Sequence, residues 1–319
     1  MEKLEDSRHL YLDLMKRCLV NMIYPEAEEV PLPATAAGFR GRLARALLRL
    51  PSSPQPWPSL RDGQGKLLTL STANRMEGRI WPLVAHTMIG LKRLDNLEFC
   101  IEQVITNGVV GDLIETGVWR GGATIFMRAM LKAYGVTDRC VWVADSFDGL
   151  PPPDARKYPP DAGDRLHEAR ELAVSLEQVK ANFDRYGLLD DQVRFLKGWF
   201  RDTLRAAPIE RLAVLRLDGD MYQSSMDALA NLYPKVSQGG YVIVDDYSAI
   251  PACRQAVHDY RSVNGITEEI RDIDWTGIFW QKGQLAINMA SVGGHEIMTS
   301  PNKKCPFPFP PLCNRQAPS

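Results

Sequence analysis

Apolar positions along this chain fall into helical stripes and short continuous strand-like runs, and the two kinds of segment alternate. Between residues 7 and 23, Leu12, Met15, Leu19 and Ile23 share one helical stripe while Arg8, Lys16 and Arg17 lie off it. A short basic amphipathic helix is predicted over 39–50, with Leu43, Ala46, Leu47 and Leu50 on one side and a stop at Pro51-Ser52-Ser53-Pro54. Its expected use is packing, or contact with a partner, rather than insertion into lipid. From there to about residue 75 the pattern is that of an arm or cap. A stronger rhythm starts near residue 93. Leu94, Leu97, Ile101 and Val104 predict a helix, Val109 to Glu115 a buried strand, Ala123 to Tyr134 a helix, and Cys140 to Asp145 a second strand. A long Pro-rich connection then leads to a helix over 176–187 and a third strand at Val193 to Leu196. Two more strands, Val214 to Leu217 and Tyr241 to Val244, flank a helix over 224–235. A helix over 252–263 and a closing hairpin strand over 277–287 complete the pattern. No internal repeat is present.

Strands alternating with helices at this spacing predict an α/β fold, doubly wound around a mostly parallel sheet. The organisation expected is an N-terminal helical arm and cap over 1–92, the α/β domain over 93–287, and a Pro-rich tail over 288–319. Disorder is expected of the tail, because Pro306-Phe307-Pro308-Phe309-Pro310-Pro311 cannot hold a helix or a central strand. The 319 residues are 45% apolar and 24% charged, enough for a substantial core. A formal net charge of −1 gives no global pull toward nucleic acid or membrane. No apolar stretch approaches the roughly 20 residues of a membrane span, and the acids in the first six residues do not fit a signal peptide. Six scattered cysteines form no CxxC pair, so neither zinc nor disulfides are expected. Reduced thiols in a cytoplasm are the expectation.

The candidate chemistry lies where strands end. The first strand closes on Glu115 and is followed by Gly117 and the Gly121-Gly122 pair at a helix start. Glycines there permit a sharp turn and a close approach of backbone to ligand, although a tight strand–helix turn with no ligand would look the same. Asp145, at the end of the second strand, is placed to accept hydrogen bonds from ribose hydroxyls. A dinucleotide enzyme would put a phosphate loop at this turn; an acid such as Glu115 would instead repel phosphate and attract an amino or sulfonium group. S-adenosylmethionine therefore fits better than NAD.

Two further strands end in carboxylates, Asp218-Gly219-Asp220 and Asp245-Asp246. As neighbours in a doubly wound sheet, these strands would bring the acids together. Asp218, Asp245 and Asp246 plus waters suit magnesium, a hard cation with oxygen ligands. Such an ion would lower the pKa of a substrate hydroxyl, and Asp220, outside the ligand set, is the candidate base. Acids at strand ends also cap helices or pair with lysine; four on adjacent strands are harder to account for that way.

With these residues in place a resemblance is plain. Asp112-Leu113-Ile114-Glu115-Thr116-Gly117-Val118-Trp119-Arg120-Gly121-Gly122, Trp142-Val143-Ala144-Asp145-Ser146-Phe147, Arg216-Leu217-Asp218-Gly219-Asp220-Met221-Tyr222 and Val242-Ile243-Val244-Asp245-Asp246-Tyr247 resemble the macrocin O-methyltransferase family. The segments 86–97 and 193–200 fit it too, so the resemblance covers residues from about 7 to 287 and stops at the tail. It implies a seven-stranded class I methyltransferase fold and methylation of a sugar hydroxyl on a natural product such as a macrolide. It also implies S-adenosylmethionine as donor and Mg2+ as activator. Carried over by motif, Asp218, Asp245 and Asp246 would hold the metal, Asp220 would be the base, and Glu115, Gly117, Asp145 and Ser146 would hold the donor, with Thr87 and Met88 nearby. The expected partner is a small-molecule glycoside, with no nucleic acid and no membrane, and a homo-oligomer, dimer or larger, is expected.

Residues 148–170, with Pro151-Pro152-Pro153 and Pro159-Pro160, read as a lid or as a surface loop. His167 and His258 are candidate second bases or ordinary satisfied histidines. Trp275 and Trp280 are candidate walls of a substrate pocket or core residues, and Tyr222 and Tyr247 could orient a hydroxyl or simply pack. Rival functions are catechol-type methylation on the same carboxylate logic, a nicotinamide dehydrogenase, which lacks its phosphate loop here, and a non-catalytic donor-binding protein. Retention of four mutually repulsive acids argues against the last.

Overall fold

The structure, a computed structural model, describes residues 2–24, 72–79 and 81–283. In chain order it has helices α1 (Glu2–Leu19), α2 (Thr72–Met76) and α3 (Gly90–Thr106), strand β1 (Asp112–Thr116), helix α4 (Gly122–Ala133) and strand β2 (Val141–Asp145). Helix α5 (Leu176–Arg185), strand β3 (Val193–Lys197), helix α6 (Phe200–Thr203) and strand β4 (Leu212–Leu217) follow. The chain continues through α7 (Tyr222–Leu232), β5 (Val236–Val244), α8 (Pro251–Val263), β6 (Arg271–Asp272) and β7 (Ile278–Gln281).

Alternation along the central strands decides how these elements stack. Leu113, Val143, Val214 and Ile243 join one buried cluster, and Ile114, Trp142, Leu215 and Val242 join another on the opposite face. A sheet apolar on both faces needs helices on both. Side chains of α1, α3, α4 and α5, among them Leu12, Leu97, Phe126 and Phe183, cover the first face. Leu229 and Leu232 of α7 and Val257 and Tyr260 of α8 cover the second. The strand order is β3-β2-β1-β4-β5-β7-β6, parallel from β3 through β5, with β7 antiparallel to β5 and to β6. This is the seven-stranded, mostly parallel sheet expected. Order reverses between β1 and β4, and the crevice beyond their carboxyl ends is where such sheets bind ligands.

Helix α1, in the expected N-terminal arm, packs one stripe into the core. Leu12 and Leu19 are buried, and Lys16 ion-pairs with Asp95 and, at 2.7 Å, with Glu98 of α3. The helix ends at Leu19 and Asn21 turns left-handed (φ 52°), so Ile23 leaves the stripe and is exposed. The Leu19 carbonyl accepts from the backbone amides of His86 and Thr87 at 2.9 and 3.3 Å, tying this helix to the chain that enters the crevice. Strand β5 starts at Val236, ahead of the apolar run from Tyr241, and β6 was invisible in the pattern because both its residues are exposed. The helix expected over 39–50 and the tail from 288 lie outside the described residues.

Because Leu12 sits in the core, Leu12→Ala is expected to lower unfolding free energy by about 2–5 kcal/mol. Denaturant unfolding checks this; an unchanged midpoint would mean that α1 is an appendage.

Candidate active site

All ten residues nominated from the sequence line a single cavity of about 560 Å³: Thr87, Met88, Glu115, Gly117, Asp145, Ser146, Asp218, Asp220, Asp245 and Asp246. The volume suits a drug-sized ligand. One close approach brings its two halves together. Gly117 has φ 86°, and a Cβ there would lie 1.7 Å from the Asp218 carbonyl oxygen, so no side chain is admissible. The loop after β1 thereby lies directly on the loop after β4. Of four non-glycine residues with positive φ among the described residues, Trp119, Phe147 and Asp220 lie just beyond β1, β2 and β4. Strain of that kind concentrates at functional sites.

The electrostatics are organised by an arginine that the sequence reading passed over. Arg216 is opposite Glu115 in the β1–β4 register, and alternate positions put both on the sheet face covered by α3. Its guanidinium, 1% exposed, donates through Nη1 to Glu115 Oε1 and, at 2.7 Å, to Asp218 Oδ2, and through Nη2 to Asp245 Oδ1. From α3, Arg93 donates to the other oxygen of Asp245, to Asp274 Oδ2 at 3.0 Å and to the Gly78 carbonyl at 3.1 Å. Glu115 is therefore not the free cation-attracting acid expected. One oxygen is ion-paired, while Oε2 is buried with no partner among the described residues, and burial pushes the carboxyl up to about 8 against the opposing charge of Arg216.

Oxygens of Asp218, Asp245 and Asp246 lie within 4.8 Å of one another. Burial, and then the neighbouring carboxylates, raise Asp246 and Asp220 well above the usual carboxylate range; Asp218 is raised by the same causes. A cation between the three oxygens would remove that conflict, so the residues fit a hard dication. Asp220 stands outside the trio with a left-handed backbone (φ 58°), its amide donating to Asp246 Oδ2 at 3.3 Å.

On the donor side, Asp145 accepts from the amides of Val118 (2.7 Å) and Phe147 (2.8 Å) and from Ser146 Oγ (3.3 Å). It shapes the loops after β1 and β2; Oδ1 already accepts twice, so a ribose hydroxyl would have to be taken by Oδ2. Thr87 is buried and accepts from the Ile89 amide through Oγ1 at 3.3 Å. The segment 148–170 is folded into short 3-10 turns, and Leu150, Pro151 and Leu166 reach the cavity. Asp161, 1% exposed, caps the start of α7 by accepting from the amides of Tyr222 (2.7 Å) and Gln223 (3.0 Å).

The other candidates divide. Trp275 lines the cavity and Trp280 is fully buried in the core. His258 bonds the Tyr247 hydroxyl at 2.7 Å and Tyr222 donates to Asp259 at 3.0 Å; neither tyrosine lines the cavity, nor does either histidine.

The model of the macrocin-O-methyltransferase family matches residues 8–282. The chain belongs to this family. It is 55% identical over 278 residues to 8-demethyl-8-(2,3-dimethoxy-alpha-L-rhamnosyl)-tetracenomycin-C 4'-O-methyltransferase of Streptomyces olivaceus, covering 87% of this chain and 94% of that one. It is 50% identical over 276 residues to mycinamicin III 3''-O-methyltransferase of Micromonospora griseorubida, covering 86% of this chain and 96% of the relative. Among solved structures, the O-methyltransferase NovP is 47% identical with a TM-score of 0.72, over 87% of this chain and 100% of that chain. The protein is thus an enzyme, an O-methyltransferase.

For a macrocin-type O-methyltransferase the buried arginine has a direct energetic consequence. Arg216→Leu leaves Glu115 and Asp245 short of a partner and is expected to cost about 3–5 kcal/mol of stability. Adding Glu115→Gln should restore part of that loss, read as a positive coupling in a double-mutant cycle of chemical unfolding.

Proposed function

We propose that this O-methyltransferase moves a methyl group from S-adenosylmethionine to a sugar hydroxyl of a glycosylated secondary metabolite, with Mg2+ held by Asp218, Asp245 and Asp246. The observation that carries the reading is the trio of carboxylates whose oxygens lie within 4.8 Å of one another, in the cavity that Glu115 and Asp145 also line. The names of the two relatives supply the acceptor class: one acts on a rhamnosyl tetracenomycin and the other on mycinamicin III.

When bound, the dication supplies positive charge that acidifies an acceptor hydroxyl, and the donor supplies an electrophilic methyl group. The chain's own residues do the rest. Asp220 takes the hydroxyl proton on a carboxylate oxygen; burial has already raised its basicity. Glu115 Oε2, without a partner among the described residues, is the oxygen available to a cationic ligand group, and Arg216 keeps that acid from being wholly uncompensated beforehand. Leu150, Leu166 and Leu172 wall the cavity and keep water from competing with the acceptor.

Asp246 is the informative ligand to change, since it makes no ion pair among the described residues, whereas Asp245 is gripped by two buried arginines. Asp246→Asn is expected to keep S-adenosylhomocysteine affinity in calorimetry and to abolish the response of turnover to added Mg2+ after chelation. Full methyl transfer in the chelated wild type would remove the metal from the reading. Separately, Asp220→Asn should lower kcat by about 100- to 10,000-fold with donor affinity intact; an unchanged kcat would assign the proton to another group.

A further inference from the structure

Trp275 occupies an unusual position for a large aromatic side chain. It is 38% exposed, yet it is fixed at two points of its ring. The indole Nε1 donates to the Glu77 carbonyl at 2.8 Å, and the Arg79 guanidinium lies 4.9 Å from the ring centre. The turn that carries it is held from the metal side. Asp274 Oδ1 accepts from the amides of Thr276 (3.0 Å) and Gly277 (2.8 Å), and Thr276 Oγ1 donates to the Asp245 carbonyl at 3.0 Å. Arg93 then joins Asp274 to the Asp245 carboxylate with one guanidinium. Strand pairing continues the connection, because Ile278 lies opposite Val244, the residue before Asp245.

An exposed, immobilised indole lining the cavity is thus built into the same bonded unit as a metal ligand. We propose that Trp275 is the platform on which the acceptor's sugar ring lies, and that Arg93 and Asp274 hold this platform in fixed register with Asp245. The proposal rests on the functional reading given above and adds to it the residue that selects the acceptor. A pyranose has an apolar C–H face and a rim of hydroxyls. Laid on an indole, the C–H face is desolvated while the rim stays free to reach the carboxylates. A rigid ring loses little entropy on binding, which makes it a better anchor than a flexible side chain. Trp280, within β7, cannot serve, since it is fully buried.

Steady-state methyl transfer to 8-demethyl-8-(2,3-dimethoxy-alpha-L-rhamnosyl)-tetracenomycin C and to mycinamicin III, with Mg2+ present, tests this. Trp275→Ala is expected to raise the acceptor KM by about tenfold or more, with kcat nearly unchanged, as for loss of a contact made equally in ground and transition states. S-adenosylhomocysteine affinity and the unfolding midpoint should stay at wild-type values. Trp275→Phe, which keeps a stacking face and lacks the indole N–H, should recover most of the KM. An acceptor KM unmoved in Trp275→Ala overturns the platform, and so does a loss shared equally by donor affinity. Failure of Trp275→Phe to improve on Trp275→Ala would also overturn it, by assigning the effect to the bond with Glu77. Wild-type turnover of neither glycoside would instead overturn the sugar-acceptor reading, and the platform with it.

Discussion

The burial of one positive charge conditions everything else at the end of this sheet. Carboxylates gathered in a low-dielectric crevice repel one another and lose their hydration, a cost that folding alone cannot absorb. Arg216 meets that cost from within the sheet, because the parallel register sets it opposite Glu115 and its reach spans the neighbouring strand ends. Arg93 adds a second cation from the helix that packs on the same face. The apolar layers above and below, with Leu113 and Ile114 facing opposite ways, keep water from screening these charges.

Compensation is uneven, and that unevenness separates the acids into roles. Glu115 and Asp245 are engaged by guanidinium groups, and Asp218 shares one. Asp246 and Asp220 have no such partner among the described residues. The crevice thus keeps negative charge concentrated beside β4 and β5, where the proposed dication would be held, and leaves a half-neutralised acid beside β1. In the proposed function, the placement of two arginines divides one constellation of like residues into a cation site, a proton acceptor and a wall for a charged ligand.

Much of this was legible in the chain. Short apolar runs between helical stripes, and carboxylates at strand ends, located the sheet's elements and ten of the residues that line the cavity. Arg216 was missed although its signal is visible, a lone cation inside the apolar run Val214-Leu215-Arg216-Leu217 that could only be tolerated if paired. Arg93 was beyond reach, because its partners Asp245 and Asp274 are distant in sequence and only the packing of α3 brings them near. Strand β6 failed for a plainer reason, since an exposed two-residue edge carries no hydrophobic period. Glu115 shows the limit of reading charge from composition: its chemistry depends on a neighbour across the sheet.

The bond between Asp161 and the first amides of α7 has a consequence for how this scaffold diversifies. One anchor of the segment that reaches the cavity runs from a carboxylate to backbone N–H groups, which every residue but proline supplies. Side chains elsewhere in that segment are therefore free to change without losing its docking point. A region that lines the cavity and is docked in part through main-chain donors can vary its side chains, and with them the cavity wall, while the charged crevice beneath stays as it is.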